Sequence, residues 1–223
     1  MKKTVTILNL LLIAAVVISC VCYDRLGGLW LKAFTSSLFS ILGLVNLLYA
    51  IKVRTRPTAF PALLFAGLFL CTCADVILWF DFIVGTAVFA LGHIFYVLAY
   101  RSLLPFRKSD WLPCAVIFAF AAGLILFAPF FDFGEGPMQP VCLAYAAIIS
   151  CMLGKAIANL CREKTALFRL IAAGSALFFF SDLMLVLNLF ADAPPITDTL
   201  CLFTYFPGQA LLASSAFLAV KNS

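Results

Sequence analysis

Long apolar runs recur along this chain with only a few residues between them. Eight can be read: Thr4–Tyr23, Trp30–Ile51, Pro57–Phe80, Phe82–Leu103, Trp111–Phe131, Pro137–Leu160, Thr165–Phe190 and Ile196–Val220. Each is close to the about 20 apolar residues that a helix needs to cross a bilayer. Eight such helices consume most of the 223 residues and leave short loops. The repetition predicts an all-α fold, a polytopic transmembrane bundle of eight helices, with residues 1–223 as a single transmembrane domain. The runs are continuous and rich in Phe and Leu, and they lack the period of two that barrel strands show. Soluble alternatives fail on charge. Only 11% of residues are charged and 65% are hydrophobic, against roughly 25% charged in an average soluble domain. So few charges cannot coat a cytosolic enzyme, and a secreted disulfide scaffold or a disordered chain is excluded with it.

The joins carry turn and charge signals: Gly27-Gly28, Arg54-Thr55-Arg56-Pro57, Arg107-Lys108-Ser109-Asp110, Gly134-Glu135-Gly136-Pro137, Arg162-Glu163-Lys164 and Ala193-Pro194-Pro195. The weakest break is at Asp81, where the third and fourth runs must turn tightly. Basic residues cluster at alternate joins. Lys2 and Lys3 precede the first run; Lys52, Arg54 and Arg56 follow the second; Arg101, Arg107 and Lys108 follow the fourth. Arg162 and Lys164 follow the sixth, and Lys221 follows the eighth. The opposite joins hold Asp81, Asp132, Glu135, Asp192 and Asp198, with Arg25 and Lys32 as exceptions. By the positive-inside rule both termini lie in the cytoplasm. The expected location is a membrane, integral and multi-pass, with a bacterial inner (plasma) membrane as the host. The first run, with Lys2-Lys3 ahead and Val17-Ile18-Ser19-Cys20 inside, resembles a signal sequence. Seven further runs make a retained first helix the simpler reading.

The net charge of +5 is spent on these topology signals. No basic stripe with interleaved aromatics appears, so nucleic acid is not expected as a partner. Nine cysteines lie almost all within apolar runs, as soft packing residues. With one histidine and no CxxC pair, zinc or disulfide frameworks are not expected. No Walker loop, GxGxxG or GxSxG is present.

The third and seventh runs resemble each other. Gly67, Leu70, Asp75 and Leu78 of one align with Gly174, Leu177, Asp182 and Leu185 of the other, each pair 107 residues apart. Four spans separate them, so the halves 1–110 and 111–223 read as two parallel four-helix repeats. The two aspartates carry more weight than the repeat. An acidic residue inside a spanning helix costs about 2.5–3.5 kcal/mol on insertion scales. Both lie in the outer half, which points to one shared cavity. Burial disfavours a charged carboxyl, and two neighbouring carboxyls disfavour a second charge. A protonated acid beside an ionised base results, which is the pairing that acid–base hydrolysis requires. Interhelical hydrogen bonding or snorkelling is the structural alternative.

Further polar groups sit within the runs. His93 shares a helical face with Tyr96 and Tyr100 at i+3 and i+7. Tyr145 and Ser150 in the sixth run and Tyr205 and Gln209 in the eighth are candidates, and so is Lys32 at the entry to the second. His93, Tyr96, Tyr145, Tyr205, Gln209 and Lys32 are the expected substrate-binding set. Each also has a plain reading as packing glue or an interface residue.

Leu70-Cys-Thr-Cys-Ala-Asp75-Val-Ile-Leu78, Phe89-Ala-Leu-Gly-His93-Ile-Phe-Tyr96 and Gly174 through Asp182, in that order, resemble the YhhN-like lysoplasmalogenase family. Pro140 through Met152 and Tyr205-Phe-Pro-Gly-Gln209 fit as well. One departure is visible: Lys32 is followed by Ala33, where the family commonly has Lys-Pro. The resemblance implies a membrane hydrolase that cleaves the vinyl ether bond of lysoplasmalogens, releasing a fatty aldehyde and a glycerophospho-alcohol. The partners implied are a lysophospholipid (ether lipid) substrate and membrane lipids. A vinyl ether hydrolyses after protonation at its β-carbon, so Asp75 and Asp182 are the expected catalytic pair, with no cofactor. A transporter, or a lipid-binding protein without chemistry, would share the repeats and the intramembrane polar groups.

Overall fold

The computed structural model describes residues 2–53 and 59–221. Among them run α1 (Lys2–Leu26), α2 (Leu29–Val53), α3 (Ala59–Ile77), α4 (Phe82–Leu103), α5 (Trp111–Phe127), α6 (Met138–Arg162), α7 (Ala166–Phe190) and α8 (Ile196–Lys221). A short 3-10 turn at Lys108–Asp110 leads into α5, and no strand occurs among the described residues. All eight helices are long and apolar enough to span a membrane. The protein is an all-α, multi-pass integral membrane protein, as its apolar runs predict. The start of the third run at Pro57, and Arg54 and Arg56, lie outside the described residues.

Helix ends follow local chemistry. Gly27 and Gly28 adopt φ of 64° and 92°, a left-handed turn open to glycine at no steric cost. The third helix stops at Ile77, three residues before the expected Phe80. Leu78–Phe80 form a turn, and Asp81 caps α4 by accepting from the Val84 amide at 2.9 Å. The α5 helix likewise stops at Phe127 rather than Phe131, ahead of Pro129. Proline disfavours helix in the residue before it.

Large apolar side chains such as Leu10, Leu11, Phe34, Leu48 and Phe120 stay more than half exposed. Lipid tails accept them; water would not. Close packing is supplied by small residues instead. A Cβ on Gly67 would lie 3.0 Å from the Gly92 carbonyl oxygen and 2.5 Å from the Tyr96 ring. One on Gly174 would lie 2.9 Å from the Gly208 carbonyl oxygen. Thus α3 crosses α4, and α7 crosses α8, at matching glycine pairs. These two hairpins make the most extensive contacts of the bundle.

Most of the remaining contacts correspond between the halves, although α3 on α8 and α1 on α8 have no counterpart among the described residues. Helix α2 packs on α3 and on α8; α6 packs on α7 and on α4. Helices α1 and α5 are outer layers on α2 and α6, and α1 also reaches α8. These matched contacts support the proposal of two parallel repeats. Buried amides tie the first half together: Asn9 and Asn46 donate to each other's carbonyl oxygens at 2.9 and 2.8 Å, and Asn46 also donates to Ala213 O at 3.0 Å. At the end of the bundle rich in basic residues, Lys155 is fully buried. Its Nζ lies 2.7 Å from Asp110 Oδ2, which Arg162 also approaches at 3.5 Å, and 4.5 Å from the Phe106 ring centroid. This cluster fastens the α4–α5 connection to α6.

Candidate active site

A cavity of about 810 Å³ opens at the other end of the bundle, lined by residues of α1, α2, α3, α4, α6, α7 and α8. Its polar wall includes both intramembrane aspartates, Asp75 and Asp182, with Lys32, Tyr145 and Tyr205. Five of the eight sequence-derived site residues therefore meet at one surface.

Asp75 sits two residues before the end of α3 and is 2% exposed. Its Oδ2 accepts from Ser36 Oγ at 2.5 Å and from the Tyr205 hydroxyl at 2.7 Å. Its Oδ1 faces Lys32 Nζ at 3.4 Å. Lys32 and Ser36 are one turn apart on α2, so a single face of that helix presents both to the carboxyl. Thr72, one turn before Asp75, bonds Ser40 Oγ at 2.7 Å and donates to Ser36 O at 3.0 Å, which fixes α3 against α2. Three donors thus converge on one buried carboxyl, a charge-assisted set.

Asp182 lies eight residues before the end of α7. Its Oδ2 accepts from the Tyr145 hydroxyl at 2.6 Å. That hydroxyl also bonds His93 Nε2 at 2.7 Å, while His93 Nε2 stays 3.9 Å from Asp182 itself. The chain Asp182–Tyr145–His93 satisfies hydrogen bonding in either direction. With Asp182 ionised, Tyr145 donates to it and accepts from the imidazole. With Asp182 protonated, it donates to Tyr145, which donates to the other imidazole tautomer. Phe178 separates the two clusters, with its ring centroid 4.6 Å from His93 and 5.1 Å from Tyr205.

His93, Tyr96 and Gln209 lie behind the cavity wall. His93 is fully buried and reaches the cavity through Tyr145. Tyr96 donates to Gln209 Oε1 at 2.7 Å, one turn below His93, and stacks on Tyr100. His93 Nδ1 and Ser150 Oγ are buried with no hydrogen-bond partner among the described residues. Sequence reasoning missed Ser36, Thr86, Ser181, Tyr23 and Asp198, of which the last four line the cavity. Ser36 had a signal, its spacing of four from Lys32. Tyr23 and Asp198 stand at helix ends, where they read as boundary residues.

The chain is 33% identical over 161 residues to a human protein (Homo sapiens), lysoplasmalogenase TMEM86A; the alignment covers 69% of this chain and 64% of that protein. It therefore spans less than two thirds of the relative. No solved structure matches the chain. The profile of the YhhN family matches residues 35–216, which include both aspartates and every residue bonded to them except Lys32. The chain belongs to the YhhN family.

Proposed function

We propose that this protein is a membrane hydrolase that cleaves the vinyl ether bond of lysoplasmalogens, with Asp75 and Asp182 as the acid–base pair. The observation that carries the reading is two intramembrane carboxyls on one cavity wall, Asp75 buried and Asp182 partly exposed to the cavity, each held by a different donor set. Family membership and the likeness to a lysoplasmalogenase support the substrate class.

The donor sets suit distinct roles. Lys32, Ser36 and Tyr205 together stabilise a carboxylate at Asp75. Asp182 has the Tyr145 hydroxyl as its close partner and no cation beside it among the described residues, and its chain to His93 accommodates either protonation state. Asp182 therefore gives a proton to the β-carbon of the vinyl ether. The C=C π pair forms the new C–H bond, and an oxocarbenium ion results. Asp75 stabilises that cation and removes a proton from the attacking water. The hemiacetal hydroxyl then gives its proton back to Asp182 as the C–O bond to the glycerol oxygen breaks, the glycerol oxygen takes the proton held by Asp75, and a fatty aldehyde is released. One water is consumed, and the proton balance closes on the two carboxyls. The phenol of Tyr145 and the imidazole of His93 orient Asp182 and relay its proton. Lys32 orients Asp75 from the cavity wall, within reach of a lipid phosphate. Tyr96 and Gln209 hold the layer beneath.

The test is aldehyde release from an alkenyl lysophospholipid by the purified protein in lipid nanodiscs. Release by the native protein and its loss in both Asp75→Asn and Asp182→Asn is the expected result. Full activity in the two variants would remove the pair. Absence of release from the folded native protein would remove the substrate, leaving transport or lipid binding.

A further inference from the structure

Two more cavities flank the aspartate cavity, and each touches its wall. One, of about 440 Å³, lies against α5, α6 and α7. The other, of about 740 Å³, lies between α4 and α6. Tyr145 borders all three. Asp182 borders only the central cavity and the α5–α6–α7 groove, whereas the α4–α6 groove meets the centre at Thr86 and Tyr145. Apart from Tyr145 and Asp182, the α5–α6–α7 groove is walled entirely by apolar residues, among them Phe120, Leu124, Ile149, Phe179 and Val186.

We propose that the α5–α6–α7 groove binds the hydrocarbon chain of a single-chain lipid whose polar part occupies the central cavity. This deepens the proposed function and rests on it. The bond to be broken in an ether lysolipid sits where the chain meets the polar part. A molecule spanning the two cavities through their common border puts that junction beside the Asp182 carboxyl. A chain lying in the α4–α6 groove would instead enter past Thr86 and Tyr145, with its junction away from Asp182. The walls match the ligand in the same order: hydroxyls, carboxyls and an ammonium on one side of Asp182, hydrocarbon on the other. The α5 and α7 backbones do not approach within 8 Å of each other among the described residues, which leaves the groove a sideways opening between them. The distal part of a long chain then projects into the bilayer. Selectivity falls on the first carbons after the ether and not on total chain length.

The test uses the full protein in nanodiscs with a non-hydrolysable alkyl lysophospholipid bearing a diazirine early in its chain. Photoadducts on Phe120, Leu124, Phe179, Leu183 or Val186 that excess unlabelled lysolipid competes away are expected. Competed adducts on Ile83, Ala87, Leu91 or Ile94, or adducts that no competitor removes, overturn the proposal. This readout needs no turnover, so it separates failure of the groove from failure of the hydrolase reading. Ala121→Phe, which fills the groove, is expected to raise KM for a lysoplasmalogen about tenfold with kcat little changed, equivalent to losing roughly two buried methylenes. Ala87→Phe, in the other groove, is expected to change neither. The reverse pattern would also overturn the assignment.

Discussion

Asp75 and Asp182 sit at matching offsets in the proposed repeat, yet their surroundings differ in kind. Each accepts from the preceding helix of its own half, Ser36 on α2 and Tyr145 on α6. Each also looks to the last helix of the other half, where Tyr205 on α8 binds Asp75 and His93 on α4 backs Tyr145. The symmetry ends at charge. Asp75 has an ammonium at 3.4 Å and two hydroxyls, and Asp182 has one hydroxyl backed by an imidazole. Two aspartates at matching sequence offsets thus differ in their partners, by a lysine beside one and a histidine behind the other.

The largest effects should come from the carboxyls, and they should differ. Both Asp→Asn variants are expected to lose about 10²–10⁴-fold in aldehyde release. Asp75→Asn should also cost up to about 3 kcal/mol in stability, because Lys32 is left near-buried without its counter-charge; Asp182→Asn should melt close to the native protein. Equal melting points would break the comparison. The tyrosines come next. Tyr145→Phe removes the 2.6 Å hydroxyl donor to Asp182 and is expected to reduce kcat about 10- to 100-fold, the worth of one hydrogen bond to a charged group. Tyr205→Phe leaves Asp75 two partners and is expected to reduce kcat less than tenfold. A larger loss from Tyr205→Phe than from Tyr145→Phe would reverse the assigned roles. The two lysine–aspartate pairs offer a further contrast. Lys155→Met is expected to lower thermal stability by about 3 kcal/mol, as one partner of a buried pair is lost, with kcat/KM within twofold of native. Lys32→Met is expected to reduce kcat about tenfold. The smallest effect belongs to Ser36→Ala, a few-fold loss in kcat, since Lys32 and Tyr205 still hold Asp75.

Much of this was legible in the chain because lipid is a strict solvent. Unpaired backbone in hydrocarbon is too costly, so apolar runs of about 20 residues had to become helices. Asp75 and Asp182 stood out for the same reason, as carboxyls placed where they are expensive. Their neighbours were only partly readable. Tyr145 and Tyr205 were found as polar groups within apolar runs. Ser36, small and common in such helices, became significant only once α2 was seen to face α3. The ends of α3 and α5 were misjudged because Trp79-Phe80 and Phe130-Phe131 are as apolar as any helix interior; turn chemistry at Asp81 and Pro129 stops the helices, and hydropathy does not register it. The pairing of Lys155 with Asp110, 45 residues apart, is set by packing at the far end of the bundle and has no local signature.

The glycine crossings also bear on motion. A helix pair whose backbones touch has no side-chain cushion through which to slide, and the four-residue link from Ile77 to Phe82, with Gly85 wedged against the Leu78 backbone, has no slack. The α3–α4 and α7–α8 hairpins are therefore the two stiff units of the bundle, each carrying one aspartate. Helix α6 touches both, through α4 on one side and α7 on the other. Helix α2 joins the same two hairpins through α3 and α8, and the bond from Tyr145 on α6 to Asp182 on α7 ties the α6–α7 seam beside the cavity.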